Sequence, residues 1–200
     1  MDDVPTGKVR WRRTALLLVP SAAISTLVVA LTAQGSVAAS LAVAGDAFKV
    51  RADRLDGTGL VQFTTVDKDA SGRSHHVLAT GIGHARLHEM CVSVLTDTPL
   101  GAMTLVLRSG RGKPVEAEDL VLDLTRIDTD ATFDGLVLGR DGASLSGGPR
   151  ELLGRRGQYG QQARHLELTD FRLHTHTITA GAFKFKGLDI AVKPGRHECF

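Results

Sequence analysis

The sequence predicts an all-β domain behind an N-terminal hydrophobic helix, and three observations support this. Short runs that alternate apolar and polar residues, or are rich in β-branched residues, recur from Leu60 onward. Gly, Asp, Pro and Thr separate these runs. After residue 45 no stretch carries a sustained apolar period of 3.6 residues with helix caps.

The predicted strands, in order, include Leu60–Phe63, Val92–Leu95, Met103–Leu107, Leu120–Leu124, Phe171–Thr177 and Leu188–Val192. One short helical turn at Glu151-Leu152-Leu153 is the most helix this region supports. A weak repeat underlies the strands. Leu55, Leu87, Leu120 and Leu166, spaced by 32, 33 and 46 residues, each follow a short lead containing Ala with Arg or Asp. The third unit reads as strand Leu120–Ile127, turn Asp128-Thr129-Asp130 and return Thr132–Leu138. The fourth reads as Leu166–Thr177, a turn at Thr179-Ala180-Gly181, and Phe183–Val192. Stacked units of this kind predict a repeat-containing β-solenoid-like domain, and regularly spaced strands equally fit an open β-sandwich.

Residues 139–162 interrupt the pattern as a long Gly-rich loop with seven glycines and one proline. Arg150, Arg155 and Arg156 give it a basic character. A solvated insertion is the first expectation for it. A binding loop for an anionic lipid or wall polymer is the second.

The address of the chain is written in residues 1–39. Lys8, Arg10, Arg12 and Arg13 precede an uncharged apolar run from Ala15 to Leu31. That order matches a signal peptide cleaved near Ala39. The run is also long enough for a signal anchor crossing the membrane through residues 14–33, with Trp11 at the interface. In either case residues 40–200 are expected outside the cytoplasmic membrane, secreted or anchored. This exported part holds 20 basic and 20 acidic residues. A neutral domain has no electrostatic footprint for nucleic acid. Tyr159 is its only aromatic residue besides seven Phe. That paucity argues against a protein- or sugar-binding surface built on Tyr and Trp. Self-association remains open.

Export permits a disulfide. With two cysteines, Cys91 and Cys199, an intramolecular bond is expected. The alternatives are two free thiols or a link between chains.

Candidate chemistry is thin. His174 and His176 fall on one face of a strand, and two imidazoles there could hold zinc if a third ligand approached. The simpler reading makes Arg172, His174 and His176 a polar strand face, with Phe171, Leu173 and Thr175 inward. His165, His84 and His88 are ligand candidates by composition alone, and His75-His76 reads as loop. Asp67-Lys68-Asp69-Ala70-Ser71-Gly72 starts like a calcium loop, but its last ligand position holds Leu78 where Glu is needed. Asp128, Asp130 and Asp134 read as turn residues. Gly142-Ala143-Ser144-Leu145-Ser146-Gly147 has the wrong spacing for a nucleophile elbow. No catalytic residue and no cofactor site is therefore assigned.

Several segments carry a resemblance. They are Val9-Arg10-Trp11-Arg12-Arg13, Leu31-Thr32-Ala33-Gln34-Gly35, Phe48-Lys49-Val50 with Ala52-Asp53-Arg54-Leu55, Thr96-Asp97-Thr98-Pro99, Val115-Glu116-Ala117, Gly160-Gln161-Gln162-Ala163, Thr179-Ala180-Gly181-Ala182-Phe183 and Glu198-Cys199-Phe200. Over nearly its full length the chain resembles an actinobacterial exported family of unknown function, whose members are often labelled cholesterol esterase. The resemblance implies a cell-envelope protein and brings no catalytic residue with it. The expected function is an exported β module, structural or binding a lipid or other hydrophobic ligand. A lipid-ester hydrolase and a His-based metal-binding module are the alternatives.

Overall fold

The computed structural model describes residues 39–42, 47–68, 72–99, 101–149 and 152–200. The basic leader, Trp11, the apolar run within 14–33, Asp69–Ser71 and Glu151 lie outside the described residues. The described part falls in one unit, Ala38–Phe200.

This part is nearly all β, in a single antiparallel sheet of ten strands. In chain order they are β1 Ala39–Ala42, β2 Phe48–Lys68, β3 Ser74–His88, β4 Met90–Thr98 and β5 Gly101–Ser109. Then come β6 Val115–Asp134, β7 Val137–Asp141, β8 Tyr159–Ala180, β9 Ala182–Lys184 and β10 Asp189–Pro194. Among the described residues the one helical element is a 3-10 turn at Gly142–Ser144.

Four long strands pair in a ring. β2 pairs β3, β3 pairs β6, β6 pairs β8, and β8 returns to β2. Closure of this kind removes most free edges. β4, β5 and β10 extend the sheet from the Lys49–Arg51 end of β2. The four leucines of the weak repeat, Leu55, Leu87, Leu120 and Leu166, lie one on each ring strand. All four are at most 4% exposed and belong to one core cluster. Leu55 pairs directly with Leu87 across β2 and β3. Full burial of each such side chain is worth about 1.5–3 kcal/mol.

Strict alternation would send every second residue of a strand inward. Each ring strand breaks that rule at least once. On β2 the inward set changes from Leu55 and Gly57 to Leu60 and Gln62, across Gly59 at φ 71°. On β6 it changes at Asp119, and on β8 at Asp170, each with φ 50°. Asp is among the few non-glycine residues that tolerate this left-handed backbone. Such bulges bend a strand and let it wrap a core.

Several expectations need correction. The described residues form one sheet with a closed ring, and no solenoid is seen among them. Asp128-Thr129-Asp130 is no turn, because β6 runs unbroken through it to Asp134. Thr179-Ala180-Gly181 makes no hairpin. After a bend at Gly181, β9 continues along β6, pairing Phe183 with Ala117. His75 and His76 lie in β3. The 139–162 loop is shorter than expected, since β7 and β8 take its two ends. Leu152 and Leu153 are not helical. The middle of the loop packs on the outer face of the β2–β3 hairpin. A Cβ on Gly81 would lie 2.6 Å from Leu152 and 2.8 Å from Pro149. The cover also lies on Val61, against which a Cβ on Gly148 would clash and which is buried although it faces away from the ring.

Candidate functional site: an apolar cavity inside the ring

The inward side chains of the ring strands do not fill it. They leave a cavity of about 200 Å³. β2 contributes Leu55, Leu60 and Gln62, and β3 contributes Leu78, Thr80 and Ile82. β8 adds Gln161, Leu166, Leu168, Phe171 and Leu173. The remaining wall is β6. Its first half presents Leu122 and Leu124, both buried. Beyond Leu124, β6 loses its pairing to β3 and keeps only β8 as a partner. Ile127, Thr129, Ala131 and Phe133 alternate along this diverging arm and face the cavity. Ile127 is 39% exposed and Phe133 36%, so the arm forms the mouth. No described lining residue carries a charge.

One polar relay interrupts the apolar wall. Tyr159 Oη donates to Gln161 Oε1 at 3.3 Å, and Gln161 Nε2 donates to Gln62 Oε1. Gln62 Nε2 donates to Thr80 Oγ1 at 2.9 Å, and Thr80 Oγ1 donates to the Leu78 carbonyl at 3.3 Å. Every donor points the same way, an order in which neighbouring bonds polarise one another. Buried polar groups are costly unless partnered, and the two buried members, Gln62 and Thr80, each hold partners in the relay. This relay escaped the sequence reading. Its signal lies in Leu60-Val61-Gln62-Phe63, where a glutamine shares a face with an inward leucine.

The predicted site residues go elsewhere. His174 and His176 do not converge. His174 meets the Phe200 ring edge-on at 5.5 Å, and His176 sits against His75 at 4.3 Å between ring centroids. Burial, then Lys49 and Arg126, hold the His174 imidazole below its ordinary pKa. The two rings thus have different neighbours, and between their positions β6 carries an extra residue, since Leu124 pairs with Thr175 and Arg126 with His174. Phe171, Leu173 and Thr175 do point inward, at 1%, 3% and 0% exposure. Among the described residues no three His, Cys, Asp or Glu side chains gather as metal ligands.

Cys91 and Cys199 form the disulfide, with Cα atoms 5.9 Å apart. The tail reaches Cys91 by crossing β5 and β4. His197 N donates to Thr104 Oγ1 and Cys199 N to Ser93 Oγ, both at 3.0 Å. Lys49 then bridges Glu198 at 3.1 Å.

Two larger depressions lie elsewhere. One, of about 290 Å³, holds Thr58 in register between His84 and His165. The other, about 680 Å³, lies beside the disulfide among Arg51, Arg108, Arg111, Asp53, Glu89 and Asp189. Their charged walls suit water better than an apolar ligand.

The ring, the relay and the tail that closes on Cys91 all fall within a single family match, since the model of the DUF6230 family of unknown function covers residues 44–200. The chain belongs to that family. No curated protein and no solved structure matches it. Of the conspicuous site elements, Gln62, Thr80, Gln161, Cys91 and Cys199 all lie inside the family match.

Proposed function

We propose that this chain is an exported cell-envelope module whose β domain binds a small hydrophobic ligand and does no chemistry on it. The observation supporting this is the cavity: apolar walls from four strands, one hydrogen-bonded polar relay, and a mouth open to solvent. Ligand sites commonly combine mostly apolar linings with a few placed polar groups. Each methylene that leaves water there contributes about 0.8 kcal/mol. The most buried serines favour binding over hydrolysis. Ser93 Oγ accepts from a backbone amide, and Ser109 Oγ donates to the Lys186 carbonyl at 2.9 Å. Neither is arranged as an activated nucleophile.

Export rests on the basic cluster Lys8–Arg13 and the apolar run after it. Cleavage near Ala39 and anchoring through residues 14–33 are both compatible with the module. Protease shaving of intact cells should digest the β domain, and protection until lysis would overturn the export reading.

Thermal unfolding of the purified full chain with increasing toluene tests the binding reading. A ligand that binds only the native state raises stability by mass action. The midpoint should rise with toluene in the wild type and stay flat in Ala131→Trp, which blocks the mouth from an exposed position. A flat wild-type response, or an equal rise in both proteins, overturns the reading.

A further inference from the structure

We infer that the cavity selects an uncharged acyl compound, with a carbonyl oxygen at the Gln62–Gln161 pair and a short chain in the apolar end. The inference rests on the binding reading above and adds the ligand's head group, charge and size.

The head group follows from counting donors. A glutamine amide nitrogen has two hydrogens. Gln161 Nε2 uses one on Gln62, and Gln62 Nε2 uses one on Thr80. The count does not depend on the direction of the relay: its end hydroxyls, Tyr159 and Thr80, can each donate or accept, and with both amides flipped each glutamine nitrogen still spends one hydrogen. Two N–H groups therefore remain on residues that line the cavity. Spare donors on an otherwise apolar wall favour an acceptor such as an ester or amide carbonyl. A pure hydrocarbon would leave them unsatisfied once it displaced water.

Charge follows from the lining. No described residue of the wall carries a charge to partner a carboxylate or an amine. Burying an unpaired charge is far more costly than burying a neutral ester. Size follows from volume. A cavity of about 150 Å³ takes benzene, so this one suits roughly six to eight carbons. A fused multi-ring sterol exceeds that.

The test compares three ligands of similar length on the full chain at pH 8: methyl hexanoate, heptane and hexanoate. Binding is read by ligand-observed NMR titration, with the ester recovered intact at the end. Methyl hexanoate should bind about 3- to 10-fold tighter than heptane, and hexanoate at least about tenfold weaker than the ester. In Gln161→Leu, which removes one of the two spare donors, the ester's advantage over heptane should fall by about twofold or more. Equal affinity for ester and heptane in the wild type overturns the head-group assignment and leaves the binding reading standing. Hexanoate binding as tightly as the ester overturns the charge assignment. Failure of all three ligands, with a flat toluene response, overturns the binding reading itself. The wild-type comparison decides even if Gln161→Leu does not fold.

Discussion

Gln62 and Gln161 face each other across the seam where β8 closes the ring on β2, and Gln161 Nε2 donates to Gln62 Oε1. The seam is thus held by side chains inside the cavity as well as by the backbone ladder. Gln62 also passes the relay on to Thr80 of β3, so one residue ties three ring strands together. Gln62→Leu should cost about 1–3 kcal/mol, because it strands the Gln161 amide in an apolar wall and takes away the donor to Thr80 Oγ1. Adding Thr80→Val should then cost less than it does alone, since the hydroxyl has already lost its donor. A denaturant double-mutant cycle measures the coupling, and strict additivity would contradict a continuous relay.

The disulfide should be the largest single covalent contribution to stability. Cys91 and Cys199 are 108 residues apart, and a closure of that length is worth about 4–5 kcal/mol in the chain-entropy picture. Cys199→Ser should lower the unfolding midpoint sharply, and reductant should do the same to the wild type. The double variant Cys91→Ser/Cys199→Ser should match the single one. A reductant-insensitive midpoint would mean that the buried contacts of the tail with Ser93 and Thr104 already hold it.

Gly81 should tolerate no side chain. A Cβ there meets Pro149 and Leu152 well inside van der Waals contact. Gly81→Ala should cost about 1–3 kcal/mol by forcing that cover off the hairpin. Trypsin should then cut faster at Arg155 or Arg156, which limited proteolysis would resolve. Unchanged cleavage would show that the cover gives way without lifting.

Much of the architecture is legible in the sequence because strands follow local alternation. The runs at Val92–Leu95, Met103–Leu107 and Leu120–Leu124 all lie in strands. Ring closure is not legible, since pairing Gln62 with Gln161 joins residues 99 apart and leaves no local mark. The strand breaks mislead for a physical reason. Asp is both a turn residue and a bulge residue. The Asp128-Thr129-Asp130 cluster looks like the turn, whereas the left-handed aspartates are Asp119 and Asp170, inside continuous strands. His174 and His176 look paired from their spacing alone, but each ring has its own partner, Phe200 for His174 and His75 for His176, and those partners come from distant parts of the chain.

The pH dependence of stability should carry two opposed contributions from aspartates. Arg54 hydrogen-bonds Asp56 through both carboxylate oxygens, with a closest contact of 2.8 Å, and holds its pKa below the ordinary value. That stability is present above the unfolded pKa near 3.9 and is lost as pH falls through the lower folded value. Asp123 is the reverse. Burial, then the charge of Asp67, raises its pKa to about 6. The folded state then holds the proton more tightly than the unfolded one. Its contribution is therefore complete below about pH 4 and is lost as pH rises through about 6. Asp123→Asn should thus stabilise the protein by on the order of 1–2 kcal/mol at pH 7.5 and make no difference at pH 4. Asp56→Asn should destabilise it at pH 7.5, with the difference shrinking only below the ordinary carboxylate range. Urea unfolding of both variants from pH 3 to pH 8 checks the two signs. An Asp123→Asn gain that persists at pH 4 would assign the effect to the amide's own contacts, with no part for the ionised carboxylate.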